Sequence, residues 1–584
     1  MAGILSTSMR THACGEISEA LVGQEVTVCG WVAKRREHGE HLAFVDLRDH
    51  LGLVQCVVDG AADLRSEYVL SITGTVRLRP EGTINEKLGT GKVEIGDCSV
   101  VVLAEAEPPP IPIDGRTDAD EAVRLRYRYV DLRQERLQRN LRLRSKVHAA
   151  IRLAMDRQGF CEVETPLLWA PTPEGSREFA VPSRLHAGKF YSLPQSPQLA
   201  KQLLMVGGLD RYYQIARCLR DEDLRADRQF EFTQLDMEAS FVSAEDVMAF
   251  VSEAVSDAAE LAVGERPTIA SMTWQDALER YGTDKPDLRF GMELIALTDL
   301  FASAGIRAFE APDVRGICLS GGAELSRSKL DGLVDQAKKF GAKGLAWFKV
   351  EESGTLASPI AKNFVPELLA KISERMEAKP GDLLLFVADS FEVTCKALYA
   401  LRKKFGEELK LYDPATKHFS WVVEFPMFAH DEESGHWAAM HHPFTAPRPQ
   451  DLELLTTDPG KCRAQAYDLV INGTEAGGGT IRIHDPQIQQ QVFGLLGITP
   501  EQARERFGFL LDALAYGAPP HGGIALGIDR WVMLLAQLDN IRDCIAFPKT
   551  QKAADLMTEA PGPVDVKQLR ELGVQIRDPE AARR

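Results

Sequence analysis

The chain has 584 residues, of which 45% are hydrophobic and 26% charged, and its 85 acids outnumber its 68 Lys and Arg to give a net charge of −17. These are ordinary globular proportions, with room for about three or four domains and sizeable cores. The acidic balance excludes non-specific nucleic-acid binding by the whole surface, so any such contact must be local, and no DNA partner is expected.

Ten cysteines are scattered without a C-x-x-C pair, which suggests neither a zinc site nor a disulfide framework. No apolar run approaches a membrane span, and residues 1–8 are too short and too weakly apolar to read as a signal peptide. A reduced, cytoplasmic chain without a membrane partner is expected.

In chain order, residues 26–32, 42–48 and 53–58 read as short strands with turn signals between them, and β-like sequence follows at 69–78 and 92–103. No long helical pattern interrupts, so a five-stranded barrel of the OB type is expected. Lys34, Arg35 and Arg36 follow the first strand, while Phe44 and Gln55 sit on the next two. Basic, aromatic and amide side chains on one barrel face suit the splayed, stacked bases of single-stranded RNA. A barrel-core Phe beside solvated arginines is the alternative.

Pro108-Pro109-Pro110-Ile111-Pro112 is a stiff, extended punctuation mark that reads as a linker. Between Arg124 and Lys146, nine basic residues stand against two acids, Asp131 and Glu135. This stripe either touches a phosphate backbone or forms one solvated helix face. Leu143, Val147, Ile151 and Ala154 recur at helical spacing, and the helix they predict stops at Gly159. Phe160 to Thr165 then reads as a strand ended by Pro166.

Arg220 to Asp236 crowds arginines, acids, Phe230 and Phe232 into one stretch without Gly or Pro. Two antiparallel strands joined by a long charged loop would read this way. The arginines could then meet an anionic ligand and a phenylalanine could stack on a flat one, which points to phosphates plus a purine; an exposed, salt-bridged hairpin is the alternative. Residues 290–420 change character. Leu330, Leu333, Val334 and Ala337 mark a helix with Ser328 as N-cap and Gly341 after its C-terminus, and a strand follows at 345–350. An inserted α/β domain that does no chemistry is expected there, because site-like residues resume only after 424.

Four further segments are dense in polar groups near Gly or Pro: Gln195 to Lys201, Met440 to Thr445, Asp468 to Arg482 with its run Gly477-Gly478-Gly479, and Gly523 to Arg530. Each has a plain reading on its own. The His pair at 441–442 lacks a third ligand at metal spacing, the glycine run suits a turn, and the last segment suits a helix entry. Combined with the Arg220 segment, in this order, they are highly specific.

Together they resemble the class II aminoacyl-tRNA synthetases, and the bacterial aspartyl-tRNA synthetase family in particular. Gly159 to Pro166 is similar to motif 1, the dimer element. Arg220-Asp221-Glu222 resembles the Arg-x-Glu of motif 2, and Gly523 to Arg530 the glycine-rich motif 3. The segments Gln195 to Gln198, His441 to Thr445 and Glu475 to Arg482 carry the aspartyl character. The resemblance spans nearly the whole chain and implies an α+β multidomain fold. Its parts are an OB-fold anticodon-binding barrel over 1–107, a hinge over 108–140, a class II antiparallel-sheet catalytic domain over 141–289 and 421–555, an inserted GAD-type α/β domain over 290–420, and a C-terminal extension over 556–584. It also implies ATP-dependent ligation of L-aspartate to tRNA-Asp, with Mg2+ as cofactor, by a homodimer. A paralogue that makes only the aspartyl-adenylate is the rival enzyme, and a catalytically dead RNA-binding protein the rival of another class.

Attack of a carboxylate on the ATP α-phosphate needs positioning and charge neutralisation rather than a covalent enzyme nucleophile. The resemblance gives Arg220 and Glu222 the α-phosphate and adenine end of ATP. It lets Phe232 stack on one adenine face and Arg530 cover the other while reaching the γ-phosphate, with Asp221, Gln229, Glu475, Gly527, Ile528 and Asp529 completing the nucleotide set. Asp468 and Glu475 are the implied oxygen ligands of Mg2+. Lys201 and Arg482 stand where the aspartate side-chain carboxylate would sit, beside Arg220. Ser196, Gln198 and Asp236 would take the ammonium group, with Glu174 and His441 closing the site. Asparagine would leave the buried cations unpaired and so be rejected strongly.

The chain departs from the family pattern at Phe230, where Pro is usual, and at Ala200 and Leu219, where Phe is usual. Family chains begin at the equivalent of Met9, so residues 1–8 are expected to precede the natural start. Arg36, Phe44 and Gln55 match the anticodon-reading positions, with one residue more than usual between Arg36 and Phe44. His38 and Gly82 resemble the pair found in non-discriminating members, which charge tRNA-Asn as well as tRNA-Asp. A strictly tRNA-Asp-specific enzyme is the alternative.

Overall fold

The computed structural model describes residues 6–38, 42–60, 63–115, 119–171, 175–302, 305–431 and 435–576. The chain forms two compact units, Met1–Arg142 with Arg542–Pro563, and Leu143–Ile541 with Val564–Arg584.

In the first unit, β1 (Glu25–His38), β2 (Leu42–Arg48), β3 (Leu53–Asp59), β4 (Val69–Leu78) and β5 (Val93–Ala104) close a barrel in the order β1-β2-β3-β5-β4. Period-two alternation drives it: Val26, Val28 and Val32 of β1, Val45 and Leu47 of β2, and Leu70 and Ile72 of β4 point inward and are fully buried. Each such side chain contributes about 1.5–3 kcal/mol by leaving water. β1 runs on to His38, so Lys34, Arg35 and Arg36 lie within the strand and not after it. A bulge between Val32 and Lys34 re-aims this outer half.

Helices α1 (Glu121–Arg126) and α2 (Arg128–Asp131) and the start of α3 (Glu135–Arg157) follow. Part of the basic stripe is built into the fold, while Arg126, Arg139, Arg142 and Lys146 are exposed. Buried Arg128 holds Asp131 at 2.6 Å and donates to the carbonyls of Arg542, Ile545 and Ala546. Arg124 pairs with Asp131 at 3.1 Å and Asp543 at 3.0 Å, and Arg133 with Glu67 at 2.8 Å. Acids remote in sequence thus convert Arg124 and Arg133 into internal struts.

The second unit is built on an eight-stranded sheet. Its N-terminal strands are β6 (Cys161–Glu162), β9 (Arg211–Leu219), β10 (Glu231–Ser240) and β11 (Ile269–Thr273), with β7 (Ala180–Pro182) and β8 (Phe190–Ser192) forming a separate small hairpin. The strand expected over 160–165 shrinks to Cys161–Glu162, paired in parallel with β9 at the sheet edge. Pro166 offers no N–H to continue it. Helix α4 (Gln198–Val206) packs on β9 and β10, α5 (Ala244–Val263) lies against the middle of the sheet, and α6 (Trp274–Tyr281) packs on β11 at the far edge. Ser243 caps α5 with Asp246 in a capping box, and left-handed Gly264 ends it.

The chain then leaves for an α/β insertion. A sheet of β12 (Ile295–Ala296), β13 (Asp313–Leu319), β14 (Ala346–Val350), β15 (Leu356–Ala357) and β16 (Leu383–Asp389) is ordered β12-β13-β16-β14-β15. Packed with it are α7 (Thr298–Ala302), α8 (Arg327–Lys339), α9 (Pro366–Arg375) and α10 (Phe391–Glu408). The N-cap of α8 is Ser326, whose hydroxyl accepts the Lys329 N–H; Ser328, expected in that role, lies inside the first turn.

Returning, the chain adds β17 (Phe419–Val423), the small hairpin β18 (Phe428–His430) and β19 (Trp437–Ala439), then β20 (Ala466–Ile471), β21 (Thr474–Ile481) and β22 (His521–Gly527). The sheet order is β11-β17-β20-β21-β22-β10-β9-β6, antiparallel except at its two outer pairs. Among the described residues no helix is long and apolar enough to cross a membrane.

Candidate active site

Strands β9 and β10 are paired from Arg211↔Ala239 to Leu219↔Glu231, and the charged loop between them stands at their open end. One row of cross-strand partners crosses the sheet here: Asp468, Gly478, Ala525, Asp236 and Gln214. Partners in such a row share a face, so two aspartates flank a floor made of a glycine and an alanine. At the usual strand spacing their backbones stand about 14 Å apart. The glycine run is therefore no turn. It lies inside β21, and a Cβ on Gly478 would fall 2.5 Å from Asp468 Oδ1.

Above this floor lies a cavity of about 730 Å³. Arg220, Glu222, Gln229 and Phe232 come to it from the loop and β10; His441, Asp468 and Glu475 from the opposite wall; and Gly527, Asp529 and Arg530 from the β22 turn. The Arg220 guanidinium sits 5.1 Å from the Phe232 ring centre, a cation–π contact over the face expected to receive adenine. Glu222 accepts from Arg228 at 2.8 Å and from the Ser176 hydroxyl. Arg530 donates to the Glu475 carbonyl at 3.0 Å and to Asp227 at 3.2 Å. Internal salt bridges and a ligand-sized cavity therefore coexist in one hairpin.

Several buried polar atoms of this region have no hydrogen-bond partner among the described residues: Arg220 Nε, Arg530 Nε, Gln198 Nε2, Asp236 Oδ2, His441 Nδ1 and Asp468 Oδ1. Buried orphans are costly, and a cluster of them marks a place where a ligand completes the bonding. His441 Nε2 stands 3.5 Å from Asp468 Oδ1, too far for a good hydrogen bond. Burial pushes the Asp468 carboxyl up. Burial also raises Glu475, but Lys285 at 2.7 Å outweighs it and holds that carboxyl below its usual range. No group of three or more His, Cys, Asp or Glu converges among the described residues. The pair Asp468 and Glu475, one oxygen of it orphaned, suits a hard divalent ion.

The expected aspartate-binding cations do not line the cavity. Lys201 and Arg482 are buried beside it and already neutralised. Lys201 Nζ donates to Asp236 at 2.9 Å and lies 3.5 Å from Glu238, while Arg482 makes two bonds to Glu238, at 2.8 and 3.0 Å. Two cations meet two anions, and the cluster is neutral. Burial raises the Glu238 carboxyl, but Arg482 and Lys201 outweigh it and leave it below the usual range. Arg482 also donates to His442 Nε2 at 2.6 Å and Thr480 Oγ1 at 2.6 Å. Burial, then Arg482, His441 and Lys201, hold His442 well below its usual range, so the ring is neutral and accepts. The two histidines face different partners and are no chelating pair. The cavity reaches the cluster through His442 and Ala525.

Sequence reasoning missed Glu238, although it follows Gln234 and Asp236 at the period-two spacing that puts all three on one face of β10. It also missed His442, Thr480 and Lys285. Asp529 lines the cavity, yet its carboxylate receives Arg144 and the Thr233 N–H. Ile528 is core, Asp221 is bridged to Arg177 outside the cavity, and the Ser196 hydroxyl accepts the Gln198 N–H at 3.2 Å. Glu174 lies outside the described residues.

On the barrel, Arg36 donates to Asp46 at 2.7 Å and to Gln55 at 3.0 Å, and Gln55 donates to Glu94 at 2.8 Å. Phe44 is the cross-strand partner of Arg36, is half-buried outside the core, and lies 5.5 Å from the His38 ring. Arg36, His38 and Phe44 thus share a surface, with Gln55 beneath it. Gly82 turns with φ +83°, and of the span between Arg36 and Phe44 that carries the extra residue, positions 39–41 lie outside the described residues.

Residues 120–551 match the family model of class II tRNA synthetases (D, K and N), and residues 26–95 that of an OB-fold nucleic acid binding domain. The chain is 53% identical to the aspartate–tRNA(Asp/Asn) ligase of Rhodopirellula baltica, covering 97% of this chain and 98% of that one. It is 52% identical to the aspartate–tRNA(Asp/Asn) ligase of Moorella thermoacetica, covering 96% of each. In fold it is similar to the asparaginyl-tRNA synthetase of Pyrococcus horikoshii complexed with asparaginyl-adenylate, with a TM-score of 0.57 at 19% identity over 92% of this chain and 98% of that one. The aspartyl-tRNA synthetase of Entamoeba histolytica superposes with a TM-score of 0.56 at 18% identity, over 92% and 90%.

Proposed function

The chain belongs to the class II (D, K and N) tRNA synthetases, and on that premise we propose that it ligates L-aspartate to tRNA-Asp and to tRNA-Asn, through an aspartyl-adenylate. The observation that carries the reading is the row Asp468–Gly478–Ala525–Asp236. It sets a floor of small residues between two carboxylates that each keep one unpartnered oxygen, Asp468 Oδ1 suited to a metal and Asp236 Oδ2 suited to an ammonium group.

In this reading Arg220 neutralises the α-phosphate as the aspartate carboxylate attacks it, while Arg530 holds the far phosphates and pyrophosphate leaves in line. Phe232 supplies the adenine platform once Arg220 turns to the phosphate. Asp236 Oδ2 and Gln198 fix the substrate ammonium group, and Lys201 and Arg482 take its side-chain carboxylate by sharing their charge between it and Glu238. Asp468 and Glu475 would hold Mg2+, which would supply positive charge against the triphosphate. The tRNA 3′ hydroxyl then attacks the activated carbonyl, and AMP leaves.

Arg36, Phe44 and Gln55 would read the anticodon, with His38 and Gly82 admitting both tRNAs; the relatives named for tRNA(Asp/Asn) support this dual use. A homodimer built on the segment around Cys161–Glu162 and a cytoplasmic location complete the proposal. Aspartate-dependent ATP–pyrophosphate exchange and charging of both tRNA transcripts test it. Exchange without charging would leave only an adenylate-forming enzyme, and a very large preference for tRNA-Asp would defeat the dual specificity.

A further inference from the structure

Lys285 has no part in the site expected from sequence, yet its ammonium lies in the cavity wall 2.7 Å from Glu475. Arg530 approaches the same residue, at its carbonyl. Two cations therefore meet Glu475, Lys285 at its carboxylate and Arg530 at its backbone carbonyl. Lys285 stands in a strap, residues 282–292, that leads from α6 into the inserted domain, and helix α10 of that domain grips the strap. Arg402, fully buried on α10, donates to the carbonyls of Asp287, Phe290, Gly291 and Met292 at 2.8–3.2 Å. Its guanidinium also stacks 4.1 Å from the Phe290 ring, and Gly406 of the same helix leaves room for that ring: a Cβ there would fall 2.7 Å from it. On its other side the strap meets the β20–β21 turn, where a Cβ on Gly473 would come within 3.1 Å of Asp287.

We propose that Lys285 is a further substrate-site cation, which binds the β- and γ-phosphates of ATP, and that the inserted domain holds it there through Arg402 as a positioning residue. The proposal deepens the ligase reading and rests on it for the identity of the nucleotide. A carboxylate that ligates a divalent ion cannot also neutralise a neighbouring ammonium at full strength. Once Glu475 serves the metal, Lys285 requires another anion, and the triphosphate that accompanies the metal is the one within reach. Lys is suited to this as a compact point charge on a flexible stem.

The test compares two nucleotides by calorimetry: ATP with magnesium, and AMP, which shares the adenosine and α-phosphate but lacks the outer phosphates. Lys285→Met should weaken ATP about 10- to 100-fold while AMP stays within about twofold, and Lys285→Arg should recover most of the loss. Arg402→Met should weaken ATP in the same selective way, and the double variant should be no weaker than Lys285→Met alone. Arg402→Lys, which keeps the charge but not the array of carbonyl bonds, takes its place should Arg402→Met not fold. Equal loss for ATP and AMP, or no loss for either, would overturn the assignment of Lys285. Additive effects would overturn the link to the inserted domain. If the parent binds ATP but shows no aspartate-dependent exchange, the ligase reading fails while the nucleotide comparison still decides the role of Lys285.

Discussion

Glu238→Gln keeps the shape of the buried cluster and removes one of its two anions. Arg482 loses the one anion that both bonds of its fork engage, and Lys201 keeps only Asp236. Breaking a buried pair from one side leaves an uncompensated charge, at about 3–5 kcal/mol. That cost falls on β10, β21 and β22, whose ladder carries the cluster. Their slowest amides should exchange with deuterium roughly 150- to 5,000-fold faster in the variant, under conditions where exchange follows the opening equilibrium. Saturating aspartate adds a carboxylate for the freed cations, so it should restore more protection in the variant than it adds to the parent. The sign with pH follows from the depressed carboxyl. The unfolded chain takes up the proton first, so the contribution of Glu238 is complete above its usual value of 4.5 and is lost as pH falls through the lower folded value. Parent and variant should therefore converge only in acid. A change in exchange below about threefold at neutral pH would mean that the cations do not need this anion.

Gly478→Ala puts a methyl group where the Asp468 carboxylate now lies, and should lower exchange activity about 10- to 100-fold with a raised magnesium requirement, read from a magnesium titration. Asparagine-dependent exchange should fall below aspartate-dependent exchange by about 10⁴-fold in kcat/KM, because the amide leaves Lys201 and Arg482 without an added anion. His38→Leu removes an aromatic face beside Phe44 and should reduce charging of tRNA-Asn about tenfold relative to tRNA-Asp, measured with transcripts of both.

Much of the barrel could be read along the chain because alternation is a local signal: Val26, Val28 and Val32 announce their own inward face. The Arg220 hairpin was legible for the same reason, its charges being confined to one loop between two regular strands. What could not be read depends on residues far apart in sequence. The arginines at 124 and 133 look solvated until Asp543 and Glu67 arrive to pair with them, and Arg128 until the carbonyls of Arg542, Ile545 and Ala546 do. Gly478 looks like a turn until Asp468 fills the space above it. Lys201 and Arg482 look like open cations because their neutraliser, Glu238, is assigned only when β10 and β22 are side by side. The strand at 160–165 failed for a local reason instead, since an edge position and Pro166 left it little to pair with.

The pairing of Asp236 with Ala525 also bears on how the protein is made. The hairpin of β9 and β10 leaves the ribosome early, while its neighbour β22 is among the last strands of the sheet to appear. At synthesis rates of ~5–20 residues per second, β10 waits roughly fifteen seconds to a minute with one edge unpaired and its acidic side chains unmatched. An unpaired edge is an invitation to the wrong strand, but buried-to-be charges such as Asp236 and Glu238 make this one a poor template for aggregation. The acidic residues that the proposed function places at the substrate should thus also protect the nascent chain while it is incomplete.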